Sequence, residues 1–256
     1  MCNNNVLELR ERVIHVTSDE RSINWEWEKN SEHVNRQIQF VSIDDIPSIR
    51  NNTNIVLPSE IQEGDILIKH PFEPGTYLNV VDAKDKICKD KWFKISEIAQ
   101  YLGATGFNIK EAIESIETRE LDVNVGVSYK VTNAKIDINK KNELKEKLGI
   151  EIDDAFDGCK IISDESYKKA QELAKKYHLD DDAAIRSLIR MRDPSKENSF
   201  RRRTIHCEMT KEINSALDIA FSLNVMPNVF SLDANVNQAI TTKETITLDV
   251  VFKFPE

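Results

Sequence analysis

The chain of 256 residues has no apolar run approaching the ~18 residues that a membrane-crossing helix needs. Its start, Met1-Cys2-Asn3-Asn4-Asn5, has no basic stretch leading into an apolar one, so no signal peptide is expected. Glycine and proline are scarce, at seven each. The four cysteines (Cys2, Cys88, Cys159 and Cys207) are scattered without paired spacing, which argues against a disulfide framework and for a reduced, cytoplasmic protein. Cys2 sits outside any myristoylation pattern and reads as an unmodified terminus.

Chemical motifs are also missing. There is no P-loop, no dinucleotide-binding glycine fingerprint and no nucleophile elbow. The five histidines (His15, His33, His70, His178 and His206) lack zinc-like spacing with cysteine or with one another. His206 and Cys207 are adjacent, but neighbours on a strand point to opposite faces and cannot form a nucleophile–base dyad. Asp153-Asp154-Ala155-Phe156-Asp157-Gly158 clusters carboxylates without the alternating oxygen ligands and distal glutamate of a calcium loop. No catalytic, cofactor-binding or metal-ligating residue is therefore named and no cofactor is expected. An enzyme with a dispersed active site is disfavoured.

The formal charge of −9 argues against general nucleic-acid binding, which needs a positive surface. Arg201-Arg202-Arg203 and the lysines from Lys84 to Lys94 are local exceptions and read as solvated surface.

What the sequence does have is alternation. From Ile205 the odd positions are mostly apolar: Cys207, Met209, Ile213, Leu217, Ile219, Phe221, Leu223 and Val225. The even positions are polar or small, including His206, Glu208, Asn214, Ala216, Asp218 and Ala220. Period two predicts a strand over 203–225 with one apolar face. A helical reading of 210–223, with Thr210 as cap, is weaker because Ile219 and Leu223 fall off its face. Met226-Pro227-Asn228 breaks the run, and Phe230, Leu232, Ala234 and Val236 start a second strand, 229–240. A third, 244–254, carries Ile246, Leu248, Val250, Phe252 and Phe254 on one face. Val123, Val125, Val127, Tyr129 and Val131 mark another long strand over 119–131, with a hairpin partner around Ile136 and Ile138.

Helices are expected at 96–102, 108–117, 163–177 and 180–192. Ser96, Asn108, Ser163 and Asp180 to Asp182 supply N-terminal signals, and Gly103 a stop. The pair 96–102 and 108–117 invites a helix-turn-helix reading, but Glu111, Glu114 and Glu117 would repel a phosphate backbone. Nearer the N-terminus, Val6 to Val16 mixes helix and strand formers. Ile23, Trp25 and Trp27 alternate with polar residues as in a short strand, Ile38 to Ile43 is another, and Asp44-Asp45-Ile46-Pro47 reads as a loop. Ile66 to Ile68 and Tyr77 to Val81, joined by a turn through Pro71 to Gly75, look like a hairpin.

These elements predict an α+β fold: an antiparallel sheet of long amphipathic strands (119–131, 203–225, 229–240 and 244–254) against helices 96–102, 108–117, 163–177 and 180–192. A single domain over 1–256 is expected, with a small N-terminal subregion, 1–58, preceding the main body, 59–256. The function expected first is non-enzymatic binding of a protein or ligand, with a protein partner or self-association and no nucleic acid.

A second reading is a membrane-inserting β-hairpin. A spanning strand needs ~9–11 residues with apolar and polar faces, and these strands reach that length. The layout of two hairpins around a helical segment resembles gasdermin-type pore formers. The membrane-facing or partner-facing candidates are Ile213, Leu217, Ile219, Phe221, Leu223, Phe230, Leu232, Val123, Val125 and Val127.

Overall fold

The structure is a computed structural model and describes residues 9, 11–18, 37–122, 126–136, 153–196, 201–225 and 233–255. In chain order its elements are β1 (Val13–Thr17), β2 (Ile38–Ser42), a 3-10 turn (Ile43–Asp45), α1 (Ile46–Arg50), β3 (Ile66–Lys69), β4 (Tyr77–Asn79), α2 (Val80–Tyr101), β5 (Gly106–Asp122), β6 (Gly126–Ile136) and β7 (Asp153–Ala155). There follow α3 (Asp164–Lys176), α4 (Ala183–Met191), β8 (Arg202–Glu208), α5 (Lys211–Phe221), a 3-10 turn (Ser222–Val225), α6 (Ala234–Thr241) and β9 (Thr242–Lys253). The fold is α+β, with antiparallel pairing predominant.

By internal contacts the chain divides into two compact units. Unit 1 is Met1–Lys84, Ile116–Val131 and Glu212–Lys243; unit 2 is Asp85–Ser115, Thr132–Lys211 and Glu244–Glu256.

Unit 1 holds a four-stranded sheet in the order β2-β1-β3-β4. β1 runs parallel to β2 and antiparallel to β3, and β3 and β4 form the expected hairpin. All five residues of β1 are buried, so its sequence shows no alternation, as is usual for a strand covered on both faces. Ile14, Val16, Val41, Ile46, Ile49, Leu67 and Tyr77 pack as one apolar cluster. Gly75 turns the hairpin at φ +77°, where a Cβ would stand 2.0 Å from the Asn54 carbonyl oxygen, so only glycine fits. Asp44 to Pro47 is helical, not a loop: a 3-10 turn runs into α1, whose first turn tolerates Pro47 because that position donates no intrahelical bond.

A second sheet is ordered β6-β5-β9-β8, with β7 added on β5; β7, β8 and residues 106–115 of β5 belong to unit 2. Trp92 meets Phe107 edge-on at 4.8 Å between ring centres, and Phe107 lies 5.8 Å from Phe252. The α2 helix ends as expected: Gly103, at φ +78°, lets the Ala104 N–H return to the Ala99 carbonyl at 3.0 Å.

Several expectations need correction. Strand 203–225 ends at Glu208, and 211–221 is the α5 helix. Its interior buries Ile213, Ala216, Leu217, Ile219, Ala220 and Phe221, so both phases of the alternation are inside, and small Ala216 and Ala220 only imitate a wet face. Strand 229–240 is replaced, from Ala234 onward, by α6, which Asp233 caps by accepting from the Asn235 N–H at 2.8 Å. Its buried residues, Val236 and Ile240, are four apart, a spacing that fits period two and period 3.6 alike.

Helix 108–117 is the body of β5. Two of the four residues giving it helical spacing, Ile113 and Ile116, are each 38% exposed, and β7 pairs with the start of the strand at Phe107↔Asp154. The span 119–131 is not one strand but the end of β5 and the start of β6. Helix 96–102 is the last part of the much longer α2, whose buried Ala83, Ile87, Trp92 and Ile95 are screened in the sequence by the surrounding lysines and aspartates. Helices 163–177 and 180–192 are present as α3 and α4, and 244–254 as β9. The proposed strands at Ile23 to Trp27, at Ile138 and at 229–232 lie outside the described residues.

Candidate partner-binding groove

Sequence places the two helices that make a surface groove. Ser163 caps α3, its Oγ accepting from the Ser166 N–H at 3.1 Å, and Asp164 and Glu165 occupy the positive end of the helix dipole. His178 stands at φ +53° after α3, and the Leu179 N–H returns to the Ala174 carbonyl at 2.8 Å, the closing pattern usually given to glycine. Asp182 caps α4 by accepting from the Ala184 and Ile185 N–H groups at 2.9 and 3.3 Å. Ile185, Leu188 and Ile189 turn one face of α4 inward, which leaves Arg186 and Arg190 exposed one turn apart.

Between the helices lies a groove of about 490 Å³. Ala174 and Ile189 line it with apolar surface, Tyr167 and Gln171 add polar tips, and Lys175, Arg186, Arg190, Asp180 and Asp181 supply charge of both signs. Burial, with Asp193 nearby, raises the Tyr167 phenol above its usual value, so it stays protonated and can both donate and accept. The end of α4 is fixed by Arg192, which is buried. Its Nε donates to the Leu102 carbonyl at 2.8 Å and one terminal nitrogen to the Cys159 carbonyl at 3.0 Å. Its guanidinium lies 4.7 Å from the centre of the Phe254 ring.

The residues lining this groove offer hydrogen bonds, charge of both signs and apolar contact. Within either unit, among the described residues, no three His, Cys, Asp or Glu side chains converge closely enough to share a metal ion. His206 and Cys207 behave as expected. His206 faces solvent and contacts Asp249 across the sheet, while Cys207 is buried and burial pushes its thiol up to about 12.

None of the residues named from sequence lines the groove. Ile213, Leu217, Ile219 and Phe221 are buried in α5, and Leu223 in the 3-10 turn after it. They serve as core and not as a partner-facing strand, because the helix turns them inward. Val127 lies in β6, and Val123, Val125, Phe230 and Leu232 lie outside the described residues. The signal that could have found the groove is the i,i+4 pair Arg186 and Arg190, exposed beside the buried stripe of Ile185 and Ile189. Two packed amphipathic helices joined by a short turn leave a seam of this kind.

No helix among the described residues is long and apolar enough to cross a membrane. Comparison of the chain with protein-family models, with curated proteins and with solved structures found no match.

Proposed function

We propose that this protein acts by binding a partner polypeptide in the α3–α4 groove, without catalysis. The observation that carries the reading is the groove's make-up: an apolar floor at Ala174 and Ile189 under a rim of three cations and two carboxylates. Its volume falls in the usual range for binding clefts, roughly 300–1,000 Å³. The partner segment that fits presents apolar side chains to the floor and carboxylates to Arg186 and Arg190. A photo-crosslinking side chain at position 167 tests this. Adducts with a discrete partner are expected, and they vanish when Arg186→Glu and Arg190→Glu are added. Both arginines are exposed, so the fold survives the change. Adducts that persist after both reversals overturn the assignment.

One observation favours a second reading, a membrane-inserting hairpin. β5, β6 and β9 contain 17, 11 and 12 residues, at or above the ~9–11 that cross a bilayer as a tilted strand. Dye-loaded liposomes decide it: release after proteolysis or acidification supports insertion, and none across anionic and neutral lipids ends it.

A further inference from the structure

β8 forms one edge of the second sheet, and two hydrogen bonds fix which of its backbone groups point outward. The Phe254 N–H donates to the Arg201 carbonyl at 2.9 Å, and the Met209 N–H to the Ile246 carbonyl at 2.8 Å. With Arg202 opposite Lys253 and Glu208 opposite Thr247 in the register, the odd residues exchange bonds with β9. The N–H and C=O groups of Arg202, Thr204, His206 and Glu208 therefore point away from it. The Glu208 carbonyl is taken by the buried Lys91 ammonium at 2.6 Å. Those of Arg202, Thr204 and His206 have no partner among the described residues.

An open strand edge is a template for another strand, and proteins normally blunt it. Here the open portion also carries concentrated positive charge in a chain of net charge −9. Arg201 and Arg202 are exposed, and Arg203 is half-buried on the opposite face of the strand. The Arg203 Nε–H is buried and donates to nothing among the described residues. Leaving such a donor unmet is costly, and a carboxylate arriving beside it would satisfy it. Further along, Ile205 is buried while His206 faces out, so an arriving strand meets arginines on both of its faces at one end and apolar surface on one face beyond.

We infer that β8 takes up an extended acidic segment of a partner protein as an added strand. Backbone bonds to Arg202, Thr204 and His206 would hold it, and carboxylates would reach Arg202 on one face and Arg203 on the other. This is strand augmentation, in which main-chain bonds give affinity and alternate side chains give specificity. The site is separate from the α3–α4 groove and stands whether or not that groove binds.

The test uses the full chain and a fluorescent seven-residue peptide with two adjacent glutamates, which point to opposite faces of a strand, followed by alternating threonine and valine, and a twin with lysines in place of the glutamates as control. Anisotropy is expected to rise with the acidic peptide alone and to weaken with salt. Arg202→Glu should weaken binding by roughly tenfold or more, because it sets like charges face to face. Thr204→Pro removes an outward N–H without touching the bonds to β9 and should abolish binding at unchanged circular dichroism. If that variant misfolds, Arg202→Glu and Arg203→Met decide the matter together. Equal binding of the lysine twin, or wild-type affinity in the arginine variants, overturns the inference. So does a concentration-dependent dimer that excludes the peptide, which would make a second copy the occupant.

Discussion

The segments 211–221 and 242–253 carry the same period-two pattern, yet one folds as α5 and the other as β9. In β9 the alternation is literal: from Glu244 to Phe252 every even residue is buried and every odd one half-exposed. Threonine, valine and isoleucine fill it, residues whose branched side chains suit a pleated, half-buried surface. In α5 the even positions Asn214, Ala216 and Ala220 are buried along with the large apolar residues, and Asp218 is exposed. A helix enclosed on most of its surface loses its 3.6 period, and what remains can be read as a strand. Composition separates the two: alanine favours helix, and β9 contains none.

The contrast can be broken at five points. Phe252→Asp puts a carboxylate at a fully buried position of β9 and should cost on the order of 4 kcal/mol or more, so that thermal melting finds no folded protein at 37 °C. Ala216→Asp separates the two readings of α5 directly. A strand with a wet even face would accept it, whereas the helix buries Ala216 and should lose about 3 kcal/mol in a denaturant titration.

A pH series adds a third pattern, the continuously buried β1. Burial lowers His15 from 6.5 to about 4, so the unfolded chain takes up a proton there before the folded one does. Stability therefore falls as pH drops through 6.5 toward 4, by roughly 3 kcal/mol in total. His15→Gln should flatten that part of the melting-temperature profile, and a profile as steep as the wild type's would contradict the assignment.

Asp218→Ala is a smaller and more informative change. The strand reading sets Asp218 on a solvated face, where its loss would be nearly neutral. In the helix it bonds Arg119 at 2.8 Å and Lys243 at 3.1 Å. Arg119 is only 5% exposed, donates also to the Ile240 carbonyl at 2.7 Å and stacks on Phe221 at 4.4 Å. Removing its counter-charge should cost about 1–3 kcal/mol, and Arg119→Met in the same chain should recover part of it. Least of all, Ala220→Gly should cost about 1 kcal/mol, the helix penalty for glycine, with a matching fall in melting temperature.

These residues also show where sequence reading worked. Ser163, Asp182 and the stripe through Ala170, Leu173 and Ala174 specify α3 and α4 because caps and amphipathic spacing are local properties. The β3–β4 hairpin was legible from its turn. The helix 108–117 failed because β5 is a strand by virtue of its neighbours in the sheet, which no window of its own sequence contains. The groove and the β8 edge escaped for a related reason. Tyr167 and Arg190 belong to different helices, and the outward amides of Thr204 and His206 are set by where the sheet ends, not by those residues' identities.

The interleaving of the two units bears on how the chain is made. Unit 1 needs residues up to Lys243 and unit 2 needs Glu244–Glu256, although unit 2 begins at Asp85. A ribosome therefore releases every residue as far as Lys243 before either unit can close, and β8 must wait for β9, from Thr242 onward, to emerge. During that interval Ile205 and Cys207 lack the strand that pairs theirs. Nascent chains of this kind depend on chaperone cover more than chains whose domains follow one another in order. A stop codon anywhere before β9 would yield neither unit, not one intact and one lost.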